Sequence, residues 1–166
     1  MAGVFVLILY KFIGMIYSDE FFMKEALKEA TKGFVSDEIP VGAVIVHNNI
    51  IISRAHNLCE KLCDPMAHAE MQVLKSACQH LKTKYLTECI VYTTLEPCAM
   101  CAGALFWTKV HKVVYGATDK KRGISTISNK ILHPKTIIIS NIMKDESSNL
   151  LTTFFQKKRI FTENIK

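Results

Sequence analysis

The strongest constraint on this chain is the alternation of short, continuous apolar runs with segments of helical periodicity. VGAVIV (41–46), CIVYTT (89–94), KVVYGA (112–117) and TIIIS (136–140) have the length and unbroken apolarity of buried strands. Ahead of them Phe22, Met23, Ala26, Leu27 and Ala30 recur at helical spacing. Ser18 or Asp19 can cap that helix and Gly33 can end it. A second helix is expected from near Ala67 through Met71, Leu74 and Ala77. A third follows Pro97, whose ring suits a first helical position, and includes Ala99, Ala102 and Leu105; the last covers 146–158. Asn48-Asn49 tolerate positive φ and predict a tight turn into a further strand, Ile50 to Arg54. Together these predict an α/β fold: a three-layer α/β/α sandwich on a five-stranded mixed sheet, with an N-terminal antiparallel hairpin at its edge.

The 166 residues suit one domain, and a 49% hydrophobic share excludes disorder for most of the chain. The net charge of +6 favours polyanionic partners, nucleic acid first. Six cysteines, unevenly placed, do not make a disulfide scaffold and point to a reducing, cytoplasmic setting with metal-binding or catalytic thiols. Residues 4–17 read VFVLILYKFIGMIY, apolar apart from Lys11. They lack the flanks of a signal peptide and the length of a membrane span. Three readings stand: an extra core or interface strand, a weak membrane contact, or a start placed too early, with Met15 and Met23 as alternatives. The expected organisation is an apolar extension, 1–17, followed by a single domain, 18–166, with no membrane partner.

Two segments at expected helix starts carry chemistry: Ala67-His68-Ala69-Glu70, and Glu96-Pro97-Cys98-Ala99-Met100-Cys101. One imidazole and two thiolates (His68, Cys98 and Cys101) suit zinc and leave a fourth tetrahedral position for water. Cys98 and Cys101 are three apart, hence on one helical face, and the positive helix end is expected to lower both thiol pKa values. His68 and Glu70 are two apart, which on a regular helix turns them apart; the tilt of Cβ toward the N-terminus lets both reach past the helix end. Taken alone, Cys-x-x-Cys also suits a redox or structural site, and a helical histidine is usually packed or solvated. The joint pattern is more specific than either half. His56, Cys59 and Cys63 suggest a second cluster but lack a fourth partner, so free thiols are expected there. Cys78 and Cys89 read as core residues.

With these motifs the sequence resembles the zinc-dependent cytidine/deoxycytidylate deaminase-like enzymes, and within them the bacterial tRNA-specific adenosine deaminases. The resemblance runs from about residue 19 to 159 through IPVGAVIVHNN (39–49), Asn57, DPMAHAE (64–70), TLEPCAMCAGA (94–104) and VVYGATD (113–119). It implies a cytidine deaminase-like fold and one zinc ion per chain on His68, Cys98 and Cys101, with Glu70 as proton shuttle. It further implies hydrolytic conversion of the wobble adenosine of a tRNA anticodon loop to inosine, in a cytoplasmic homodimer. Asn57 matches a residue that contacts the flipped adenosine, and Asp119 one that lines the nucleic-acid groove. Lys120, Lys121 and Arg122, exposed by their place after a strand, fit the RNA backbone. Phe155 and Arg159, with Phe154, Lys157 and Lys158, mix stacking faces with cations; a solvated basic helix with Phe154 or Phe155 packed inward reads equally well. The sequence departs from the family at Met66, where Thr is usual, and at Phe106-Trp107, which stands where an Ile-His-type pair faces the dimer interface.

Overall fold

The computed structural model describes residues 17–127 and 131–163. The apolar stretch before Tyr17, and the three readings offered for it, lie outside those residues. Helix α1 spans Asp19–Val35, with Ser18 as its N-cap accepting the Phe21 N–H. Strands β1 (Gly42–His47) and β2 (Ile50–His56) follow, then a one-turn helix α2 (Cys59–Leu62) and α3 (Ala69–Leu81). Next come β3 (Cys89–Leu95), α4 (Ala99–Thr108), β4 (Lys112–Ala117), a one-turn α5 (Ile124–Ile127), β5 (Ile137–Ile139) and α6 (Lys144–Glu163).

The sheet order is β2-β1-β3-β4-β5, with β1 antiparallel to both neighbours and β3, β4 and β5 parallel. Asn48 and Asn49, at φ 50° and 64°, make the turn of the edge hairpin. One face of the sheet packs Ile45, Val91 and Val113 against Val73, Leu74 and Leu105 of α3 and α4. The other packs Val44, Tyr92 and Val114 against Phe22, Met23 and Ala26 of α1. Alternate residues of each strand serve opposite layers, which is why the runs are apolar without alternation. Helix α1 approaches β1 so closely that a Cβ on Gly42 would lie 2.2 Å from the Ala26 carbonyl oxygen. No side chain fits there.

Several boundaries differ from the sequence expectation. Gly33 does not end α1. The helix runs on to Val35 and stops at Asp37, whose φ of 63° lets the Glu38 N–H return to the Gly33 carbonyl at 3.0 Å. Strand β2 continues two residues past Arg54, and α6 begins at Lys144 and ends at Glu163. Pro97 is not the first residue of α4; it precedes the N-cap, Cys98. Tyr17, assigned to the extension by its composition, stacks on Phe21 at 4.1 Å and so belongs with the folded body.

Candidate active site

Strands β2, β3 and β4 run in one direction, so their carboxyl ends meet at one rim of the sheet. That rim receives Asn57 after β2, the Glu96–Cys101 segment after β3 and the Asp119–Arg122 loop after β4. The amino end of α3 joins them from one layer: Leu58 N–H bonds the Ala67 carbonyl at 3.0 Å, beside His68. Ligand sites of α/β sheets commonly lie at such carboxyl ends.

His68 is the N-cap of α3 rather than a helical residue, with φ −66° and ψ 150°. Its extended backbone removes the opposition expected between His68 and Glu70. Cys98 is likewise the N-cap of α4, and neither residue caps its helix with a side-chain hydrogen bond. Both side chains turn toward one point instead. His68 Nδ1 lies 3.5 Å from Cys101 Sγ and 3.8 Å from Cys98 Sγ, and the three donor atoms all fall within 4.8 Å of one another. Tetrahedral zinc with Zn–N near 2.0 Å and Zn–S near 2.3 Å needs N···S edges of about 3.5 Å. The donor set and its spacing fit zinc.

Cys98 is held down to about 3, first by the hydrogen bond it shares with Cys101 and then by His68. Cys101, fully buried, is pushed up by that same bond with Cys98 and by burial. The expectation that both thiols are lowered therefore holds for Cys98 alone in the protein itself; a divalent cation held by these donors would favour the thiolate form of the second. His68 is raised, mainly by its hydrogen bond to Cys98 and, against the effect of burial, by the nearby Glu70. Glu70 is 4% exposed and its carboxyl is raised by burial; Thr93 Oγ1 donates to Glu70 Oε1 at 3.2 Å. A carboxyl so placed can take and return a proton near the three donors.

Asn57 is 5% exposed, its N–H bonded to the Val41 carbonyl and its Nδ2 lying 3.6 Å from Cys59 Sγ. Asp119 Oδ1 accepts the N–H groups of Lys121 and Arg122 at 2.9 and 3.1 Å, so it shapes the turn that presents them. Lys120, Lys121 and Arg122 are exposed. Phe155 and Arg159 are exposed on α6, which packs on α1, β3 and β4 in the opposite layer from α3 and α4, while Phe154 is buried against Phe34. Among the described residues His68, Cys98 and Cys101 are the one group of three or more such ligands that converges. Cys59, Cys63, Cys78 and Cys89 are free thiols. Sequence reasoning missed Thr93 and Glu96. Glu96 was visible as an acid closing an apolar strand immediately before Pro97, and it is 2% exposed.

Residues 16–117 match the cytidine and deoxycytidylate deaminase zinc-binding region. The chain belongs to this deaminase family. Within it the chain is 47% identical over 146 residues to the tRNA-specific adenosine deaminase of Aquifex aeolicus (strain VF5), covering 84% of this chain and 95% of that relative. A deaminase structure solved in work on A-to-I editing by tRNA:A34 deaminases at the wobble position of transfer RNA superposes with a TM-score of 0.74 at 35% identity. The superposition covers 79% of this chain and 99% of the other. A guanine deaminase from Bacillus subtilis superposes with a TM-score of 0.59 at 39% identity, covering 61% of this chain and 66% of that one. The cytidine deaminase-like three-layer architecture read from the sequence is the one this family shares.

Proposed function

We infer that this protein deaminates adenosine to inosine at the wobble position of a tRNA anticodon loop, by hydrolysis and with release of ammonia. The observation that carries this is the convergence of an imidazole and two thiols beside a buried carboxyl, in a chain 47% identical to a tRNA-specific adenosine deaminase. His68, Cys98 and Cys101 hold one zinc ion per chain. When bound, zinc supplies the Lewis acidity that brings the pKa of water to about 7.

Glu70 accepts a proton from the attacking water, whose oxygen bonds to C6 of adenine. Glu70 then gives that proton to the ring nitrogen, takes the proton of the new C6 hydroxyl and passes it to the amine, so that the C6–N bond breaks, ammonia leaves and the C6 carbonyl forms. Burial keeps this carboxyl away from bulk solvent, and Thr93 fixes its rotamer through Oε1. Asn57 contacts the flipped base. Asp119 lines the groove while shaping the loop that offers Lys120, Lys121 and Arg122 to the phosphates; Phe155 and Arg159 extend the contact. An unstacked anticodon loop suits the chemistry, because flipping a base there costs less than extracting one from a duplex.

The same reading includes a single catalytic domain from Tyr17 onward, a cytoplasmic setting and a homodimer. Trp107 at 76% exposed, on the apolar α4, supports an interface between copies. The test sets inosine formed in an anticodon stem-loop beside ammonia released from free adenosine, guanine and cytosine. Faster turnover of the stem-loop is expected. Faster release from free guanine would move the protein to the small-molecule deaminases its B. subtilis neighbour represents.

A further inference from the structure

Glu96 is a buried carboxylate next to the metal-binding segment, and both of its oxygens are taken up by a single loop. Oε2 accepts the Asp119 N–H at 2.9 Å and Oε1 the Ser125 N–H at 2.8 Å, so one side chain grips both ends of the 119–125 turn. The turn passes directly over the carboxylate: a Cβ on Gly123 would lie 2.4 Å from Glu96 Cδ and Oε2. The Glu96 N–H bonds the Ala117 carbonyl at 2.8 Å, and the Ile124 N–H bonds the Pro97 carbonyl at 3.1 Å. Cys98 itself pairs with Gly123 in an isolated antiparallel bridge. The basic loop is therefore fastened to the strand end that delivers a candidate metal ligand by hydrogen bonds to a charged group, beside the buried Ile124 that packs into the core.

We propose that Glu96, with Gly123 fitted against it, is a positioning residue that holds Lys120, Lys121 and Arg122 at a fixed distance from the metal centre, so that RNA docked on the loop presents its base to the zinc. This rests on the wobble-deaminase reading. A buried carboxylate satisfied by two amides resists substitution even by its isostere. The amide nitrogen of Gln would face an N–H donor and leave one end of the loop unheld.

The experiment compares full-length, zinc-loaded wild-type protein with Glu96→Gln and Gly123→Ala. Zinc content should stay at the wild-type level in both. Trypsin should cut after Lys120, Lys121 or Arg122 faster in both, a readout independent of RNA. KM for an anticodon stem-loop should rise about ten-fold with kcat within about three-fold, the loss of a hydrogen bond to a charged group. The salt dependence of stem-loop binding should also become shallower, since fewer phosphates are neutralised.

Faster cleavage with unchanged KM and salt slope overturns the proposal, because the loop would then be clamped for some purpose other than RNA. Unchanged cleavage in both variants overturns the clamp itself. If Glu96→Gln loses zinc, Gly123→Ala decides, since it replaces no side chain of the metal-binding segment; an unchanged KM there is again contrary. Wild-type protein that neither binds nor deaminates the stem-loop refutes the functional reading instead. That failure is told apart because the tryptic comparison still reports on the clamp.

Discussion

His68 and Cys98 occupy positions where Ser, Thr, Asp or Asn would ordinarily cap a helix, and both forgo that bond. Each gives up roughly 1 kcal/mol of local helix stability and aims a candidate metal donor past the helix end. Cys98→Ala and His68→Ala are accordingly expected to lose zinc, checked by metal analysis of the purified protein. Glu70→Gln preserves volume but removes the proton acceptor. Zinc and RNA affinity should persist while turnover falls by about 10²–10⁴-fold, measured as inosine formed per minute. The donor residues were legible because their chemistry is rare at that spacing. Their exact helical positions were not, since His and Cys are outside the capping code. Glu96 and Thr93 were hidden for the opposite reason: each is an ordinary residue whose role depends on partners 23 or more positions away.

At the scale of elements, α1 is fastened to the edge hairpin by packing and by charge. Gly42→Ala would drive a methyl group into the α1 backbone, an overpacking cost of about 1–3 kcal/mol read as a lower melting temperature. Glu25 of α1 bonds Lys28 at 2.5 Å and Arg54 of β2 at 2.6 Å, and these bonds, Lys28 first, hold its carboxyl below the ordinary value of 4.5. A depressed carboxyl stabilises the fold above the unfolded value and ceases to do so as pH falls through the folded one. Glu25→Gln should therefore melt about 1–2 °C lower at neutral pH, because the cations are exposed and screened, and lose less on acidification below about pH 4.5. Strand positions and types were readable from apolar runs, whereas helix ends were not. Gly33 is a plausible stop by propensity, but a Cβ there would meet the His56 side chain at an ordinary 3.6 Å, and the left-handed Asp37 closes α1 instead.

For the whole molecule, the exposed Trp107 beside Phe106 marks a surface that a second copy is expected to cover. Trp107→Glu should shift sedimentation from dimer to monomer while each chain keeps its zinc. Removing residues 1–16 should leave folding and deamination intact, provided Tyr17 and its stack on Phe21 are kept; loss of folded protein would show the apolar stretch to be structural. Neither feature could be sized from the sequence, because apolar composition alone does not distinguish a core segment from an interface.

The pairing of two helix starts around one set of donors also bears on how the chain finds its fold. His68 stands 30 positions ahead of Cys98. A metal ion joining them closes a loop of that size, comparable in its effect on the unfolded ensemble to a disulfide and amounting to roughly 3–4 kcal/mol. Such a bond can form in a reducing compartment where a disulfide could not persist. It also spans from the start of α3 to the start of α4, with the central strand β3 inside the loop. On the zinc reading, catalysis and the placing of that strand in the middle of the sheet draw on the same three side chains, so removing the metal is expected to lower the melting temperature as well as to stop turnover.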